Sequence, residues 1–310
     1  MLRMSSFLFH LDPILLDKVD REFCINVEED QVLNITFTPS ATPFGSYGFI
    51  NGIEIVSMPT NLYYRSLGSI IGRQNTFSLE NNKALETVYR LNVGGEEIPP
   101  DKDTNMFRRW LLDYDYCSYI GALPVNTSIN VSFGHIPNYT APAAVYQTAR
   151  SMGNNKTINY SYTLTWNLPV DPEFMYMVRL HFCEFQSQIT KPSDRQFQIF
   201  IANYTAEAYA DVIAWSGGNG VPTYKDYFVF VDQDSEKKRN LSIALYPNPE
   251  TATLYSDAIL NGIEVFKLSD PVDNLAGLNP DPVMTLPPSI PQLPEKLKSN
   301  VRNLILFCSF

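Results

Sequence analysis

The sequence predicts an all-β protein built from a repeated β-sandwich or jelly-roll module. Three observations predict it. Apolar and polar residues alternate along several short runs, which is the period of a strand with one face buried. Strand-favouring residues are abundant, with 18 Tyr and 19 Phe among 310 residues, and 22 Pro outnumber 15 Gly. One ordered set of these runs occurs twice.

The repeat is clearest at Phe49-Ile50-Asn51-Gly52-Ile53-Glu54-Ile55, which returns 210 positions later as Ile259-Leu260-Asn261-Gly262-Ile263-Glu264-Val265. Upstream, Leu33, Ile35, Phe37 and Pro39 match Leu241, Ile243, Leu245 and Pro247 at an offset of 208. Further upstream, Phe23, Ile25 and Val27 match Tyr227, Val229 and Val231 at an offset of 204. The offset changes only within polar stretches, where turns accept insertions. In each closing strand the Asn-Gly step is expected to bulge, since both residues tolerate positive φ, and Glu54 and Glu264 read as strand-edge carboxylates.

These matches divide the chain. Residues 1–59 read as the C-terminal part of a first module, and residues 88–268 as a complete second one. The first copy matches only positions from about 205 onward, which leaves roughly 115 residues of the second without a counterpart. Half a sandwich leaves sheet edges open, so the chain reads as truncated at its start. Residues 60–87, polar and rich in Gly, Ser and Asn, read as an inter-module linker anchored by Tyr63-Tyr64 and Ile70-Ile71. Residues 269–310 read as a Pro-rich, extended and semi-rigid stalk and a truncated tail, with seven prolines between Pro271 and Pro294; the resemblance given below implies that this stalk is juxtamembrane.

Within the second module, Asn92-Val93-Gly94-Gly95 is expected to open the first strand. Strands follow at Tyr160–Trp166, Met177–Glu184, Arg195–Ile201, Tyr227–Val231 and Leu241–Leu245. The helical period is confined to a turn or two near Ala141–Arg150.

Composition narrows the function. A net charge of −10, with no basic run beyond Lys237-Lys238-Arg239, argues against nucleic acid and favours basic partners. Four scattered cysteines, Cys24, Cys117, Cys183 and Cys308, give neither a disulfide framework nor zinc spacing, and no metal or cofactor is implied. Eight Asn-x-Ser/Thr sequons, at Asn34, Asn126, Asn130, Asn138, Asn155, Asn159, Asn203 and Asn240, point to the secretory pathway and a glycan-coated surface. The first ten residues lack the apolar stretch of a signal peptide, and Val301–Phe310 is too short to cross a membrane. Export of this chain alone is therefore not expected.

No nucleophile elbow, phosphate loop or zinc motif is present, so the chain is not expected to be an enzyme. Glu184 and Asp211 would serve a glycosidase only at a suitable separation, and Cys183 reads as a small buried hydrophobe. His181, on an apolar strand, reads as a satisfied core or cleft histidine rather than a metal ligand. The ligand-binding candidates are Arg109, Trp110, Tyr114, Tyr116 and Tyr119, with Arg108, Asp113 and Asp115 beside them. Aromatic faces stack on sugar rings while Arg and Asp bond hydroxyls or peptide backbone; the same aromatics could equally pack their own loop against the sandwich.

Five motifs in order carry a specific resemblance: Asn92-Val-Gly-Gly95, Val178-Arg-Leu-His-Phe-Cys-Glu184, Asp211-Val-Ile-Ala-Trp215, Lys225-Asp-Tyr227 and Leu260-Asn-Gly-Ile-Glu-Val-Phe266. Over residues 11–280 the chain resembles the tandem malectin-like ectodomain of plant FERONIA/ANXUR-type receptor-like kinases. The resemblance implies two jelly-roll modules on the extracellular face of the plasma membrane, then a membrane helix and a cytoplasmic Ser/Thr kinase that lie outside this sequence. It implies cell-wall sensing, with a secreted basic signalling peptide, a glycolipid-anchored co-receptor and pectin as partners. A stand-alone secreted carbohydrate-binding (lectin-like) module is the alternative.

Overall fold

The computed structural model describes residues 20–27, 32–38, 50–59, 61–64, 66–73, 75–118, 122–233, 238–251 and 253–277. Tyr119, Cys308 and most of the proline-rich stalk fall outside them. Strands dominate the described residues, and the two main sheets stack face to face.

The larger sheet contains β1 (Phe23–Cys24), β2 (Leu67–Ile70), β3 (Thr76–Ser78), β4 (Leu85–Asn92), β9 (Phe174–Phe182), β12 (Thr223–Val231) and β15 (Gly262–Leu268), in the order β1-β4-β15-β9-β12-β2-β3; β5 (Leu111–Leu112) pairs with β4. The second sheet runs in the order β11 (Tyr204–Ala210), β10 (Phe197–Ile201), β13 (Arg239–Pro247) and β8 (Leu164–Val170). A small third sheet joins β14 (Ile259–Leu260), β7 (Thr148–Ser151) and β6 (Leu123–Asn126). Three short helices, α1 (Ala143–Tyr146), α2 (Lys156–Asn159) and α3 (Val212–Ser216), fill corners.

The second sheet follows the sequence alternation directly. Leu164, Trp166, Leu168 and Val170 on β8 point inward with Phe197, Ile199 and Ile201 on β10 and Leu241, Ile243 and Leu245 on β13, all at most 1% exposed. They meet Val178, Leu180, Ile263 and Val265 from the larger sheet in one core. Each such side chain contributes about 1.5–3 kcal/mol on burial.

The larger sheet behaves differently, because β9 and β15 are buried on both faces. Its outer face is covered by residues 61–64, by the 98–110 segment and by the loop leading into α1. Residues 60–87, expected as a linker, thus supply β2, β3 and the start of β4. Tyr63 and Tyr64 are buried, as anchors should be. β2 runs parallel to β12, pairing Ser69 with Tyr227 and Ile70 with Phe228.

Two local expectations change. Asn92-Val93-Gly94-Gly95 ends β4 rather than opening a strand. Gly94, at φ +68, lies so close to Ala149 that a Cβ would sit 2.2 Å from its carbonyl oxygen. The second is the Asn261-Gly262 step, which does not adopt positive φ. There the chain passes from the third sheet into the larger one, and Gly262 is needed because a Cβ would meet Val145 Cγ1 at 2.8 Å. The bulge lies further on, between Val265 and Phe266.

Candidate binding site

The register sets a row of charges across the outer face of the larger sheet. Arg90 of β4 lies opposite Glu264 of β15, Glu264 opposite Arg179 of β9, and Arg179 opposite Asp226 of β12. Signs alternate along the row. Arg90 Nε donates to Glu264 Oε1 at 2.8 Å, and Arg179 Nε and Nη2 donate to Asp226 at 2.7 and 2.8 Å. The covering segment completes the pairing: Tyr63 Oη donates to Glu264 Oε1 at 2.9 Å, and Arg179 Nη1 donates to the Leu62 carbonyl at 2.6 Å. From the N-terminal side, Glu22 accepts both Arg90 Nη atoms at 2.7 Å.

Glu264 was expected at a strand edge and is instead the fully buried centre of this network. Burial opposes its ionisation, but the His181 hydrogen bond and Arg90 outweigh it and hold the carboxyl well below the usual range. Burial also keeps His181 below its ordinary value, hence neutral. The contacts at 3.0 Å to Glu264 and 2.9 Å to Tyr146 Oη then assign the tautomer. Nε2–H donates to Glu264, and Nδ1 accepts from the Tyr146 hydroxyl. His181 is a satisfied core histidine.

Trp110 belongs to the same layer. Its ring lies between the Arg90 and Arg108 guanidinium groups, at 5.9 and 5.8 Å, and edge-on to His181 at 5.4 Å. At 0% exposure neither ring face can stack on a ligand, which corrects its sequence assignment. Tyr116 is half buried and packs edge-on against Tyr89 at 5.1 Å. Arg109 and Tyr114 do reach the surface, with Arg109 Nε bonded to Glu97 at 2.8 Å. The four described candidates therefore present no shared aromatic face, and Tyr119 lies outside the described residues.

The carboxylates weighed for catalysis also have structural partners. Glu184 pairs with buried Arg195, which also holds Asp257 at 2.7 Å. Asp211 caps α3, accepting from Ala214 N at 2.9 Å, and accepts from Ser193 N at 2.6 Å. Among the sequons, Asn34, Asn126, Asn130, Asn138, Asn155, Asn203 and Asn240 are exposed. Asn159 is not: it is 1% exposed, and its Nδ2 donates to the Gly153 and Ser256 carbonyls at 2.8 and 3.0 Å. A folded chain has no room for a glycan there.

The place where polar groups converge without partners lies elsewhere. A groove of about 420 Å³ runs between the first residues of β2, the start of β12 and β11, lined by Ser66, Leu67, Ser69, Glu207, Tyr224 and Lys225, with Asp226 and Tyr227 beneath. Glu207 and Lys225 make no hydrogen bond or ion pair with other described residues; Lys225 Nζ rests 4.6 Å from the Trp215 ring centre. The Tyr227 hydroxyl is buried without a hydrogen-bond partner, and burial pushes its pKa up. Buried polar groups are normally satisfied, so a Tyr227 hydroxyl with no partner among the described residues, beside Glu207 and Lys225, makes this groove the ligand-site candidate. Sequence reasoning missed it because its walls come from three distant segments. The Lys225-Asp226-Tyr227 motif was the one visible signal.

No described helix is long and apolar enough to cross a membrane, and no described group of His, Cys, Asp and Glu could hold a metal ion. Residues 10–268 match the malectin-like domain family. The Arabidopsis thaliana receptor-like protein kinase FERONIA is 44% identical over 294 residues, covering 92% of this chain and 32% of that protein. ANXUR2 from the same plant is 40% identical over 270 residues, covering 84% of this chain and 31% of that protein. The chain thus spans about a third of the length of the curated relatives it matches. Among solved structures, that of the plant peptide RALF23 in complex with FER and LLG2 superposes with a TM-score of 0.76 at 45% identity, covering 84% of this chain and 69% of that one. The receptor-like kinase ANX2 superposes with a TM-score of 0.77 at 41% identity, covering 84% of this chain and 68% of that one. With a stacked-sheet architecture shared with these ectodomains, the chain belongs to the malectin-like domain family.

Proposed function

We propose that this chain is part of the ligand-binding outer region of a plant receptor-like kinase, on the extracellular face of the plasma membrane. Its ligand is a secreted basic peptide taken together with a glycolipid-anchored co-receptor. The observation that carries this reading is the 45% identity to FER in a structure that also contains RALF23 and LLG2. A net charge of −10 supports a basic ligand, since opposite charge steers association. In this reading residues 1–59 close a first module and residues 88–268 form the second.

A wall polysaccharide such as pectin is the second ligand, placed in the groove. Sugar hydroxyls donate to Glu207 and accept from Lys225, and a uronate would also suit the lysine; the same site would serve a stand-alone lectin-like module. Calorimetry with a basic RALF-type peptide, with and without an LLG-type co-receptor, tests the first reading. Binding is expected with both present, weakening as salt rises; absence of binding at low salt with both present would sink it. Oligogalacturonide binding lost in Glu207→Gln, without any peptide response, would establish the lectin reading instead.

A further inference from the structure

The structure assigns Asn51 as a site of spontaneous covalent modification, deamidation through the backbone nitrogen of Gly52. The chain holds three Asn-Gly steps, at Asn51, Asn219 and Asn261, and their surroundings differ in every respect the chemistry depends on.

The reaction needs a side-chain amide free to turn, a following backbone N–H that no acceptor holds, and no Cβ on the following residue. The Gly nitrogen gives its proton to solvent base and attacks Asn Cγ, forming an N–Cγ bond and closing a five-membered succinimide. The Cγ–Nδ2 bond breaks and ammonia leaves. Water then opens the ring at either carbonyl, giving Asp or isoaspartate. The balance is Asn plus water to acid plus ammonia, with no oxidant or reductant.

Asn261 has the glycine but not the free amide. It is 0% exposed, its Oδ1 accepts from Cys183 N at 2.7 Å, and its Nδ2 donates to the Thr148 carbonyl at 2.8 Å. Val145 is wedged against Gly262. Asn219 is also locked: Nδ2 donates to the Gln186 and Ile189 carbonyls at 2.8 and 3.1 Å, and the Gly220 nitrogen donates to the Glu184 carbonyl at 2.7 Å. At Asn51 both residues are exposed, neither makes a hydrogen bond among the described residues, and nothing lies within 4 Å of a Cβ built on Gly52.

Isoaspartate inserts one carbon into the backbone. At Asn51 that would put Ile53 and Ile55 out of step with any partner strand, since side chains alternate with a period of two. A layer covering this copy, as the second copy is covered, would protect Asn51. Its modification therefore reports whether the copy is covered.

The test is peptide mapping by mass spectrometry after incubating the folded chain at mildly alkaline pH, with an isoaspartyl methyltransferase as a second probe. The expected result is a gain of about one dalton at the Asn51 peptide, methyl-accepting, with Asn219 and Asn261 unchanged. In denaturant all three should react. Gly52→Ala should suppress the Asn51 product in the native chain. Equal modification of all three in native buffer, or an inert Asn51, overturns the assignment.

Discussion

The two copies of the repeat carry the same pattern of residues and reach opposite states. In the second copy, Leu241, Ile243, Leu245, Leu260, Ile263 and Val265 are at most 1% exposed. Their counterparts in the first copy, Leu33, Ile35, Phe37, Ile50, Ile53 and Ile55, are 41–72% exposed, and residues 32–38 and 50–58 form no strand. Alternation makes a strand possible, but a ladder partner and a facing sheet make it real. Leu245, Ile243 and Leu241 have both, from β8 on one side and core residues opposite. Of the first copy's described segments only Phe23–Cys24 is a strand, and it pairs with β4.

Four experiments would break or sharpen that contrast. The largest difference is expected at the paired glutamates. Glu264→Ala leaves Arg90 and His181 without their buried partner and should cost about 3–5 kcal/mol in urea unfolding. Glu54→Ala should stay within about 0.5 kcal/mol, as a surface change does; a large loss there would mean the first copy is packed after all.

Ile243→Ala should cost about 2–5 kcal/mol through the cavity it leaves between the sheets. Ile35→Ala should be near neutral, within about 0.5 kcal/mol in the same assay. At the glycines, Gly262→Ala drives a methyl into Val145 and should cost about 1–3 kcal/mol. Gly52→Ala should be neutral or gain up to about 1 kcal/mol by stiffening the unfolded chain.

The last comparison is in the pH profile. His181 and Glu264 both have folded pKa values below their unfolded ones. Each therefore contributes stability that is present above its unfolded pKa and is lost as pH falls. Unfolding free energy measured from neutral pH downward should start to drop near about 6.5 and steepen below about 4.3, each group adding up to about 1.4 kcal/mol per pH unit. His181→Gln should remove the upper part of that drop.

How much of this was legible follows from the range of the interactions. Strands β8, β10, β12 and β13 were readable because alternation is local, and Tyr63-Tyr64 were identified as anchors from their setting in a polar stretch. What they anchor to was not readable: Tyr63 meets Glu264 across 201 residues of sequence. Trp110 looked like a ligand platform because it stands among arginines. Of those neighbours Arg108 is buried, and it encloses the ring together with Arg90 of β4, while Arg109 is exposed. The sequon at Asn159 has the right letters, but its amide is already committed to the fold. The groove stayed hidden since Ser66, Glu207 and Lys225 have nothing in common until β2 is laid beside β12.

The row Arg90–Glu264–Arg179–Asp226 has a consequence for how the molecule is made. Its members leave the ribosome in the order Arg90, Arg179, Asp226, Glu264, yet Glu264 belongs between the first two. Until residues 262–268 have been synthesised, β4 and β9 lack the strand that lies between them and pairs with both. The final strand is thus an insertion into the middle of the sheet, and it brings the carboxylate that pairs with Arg90.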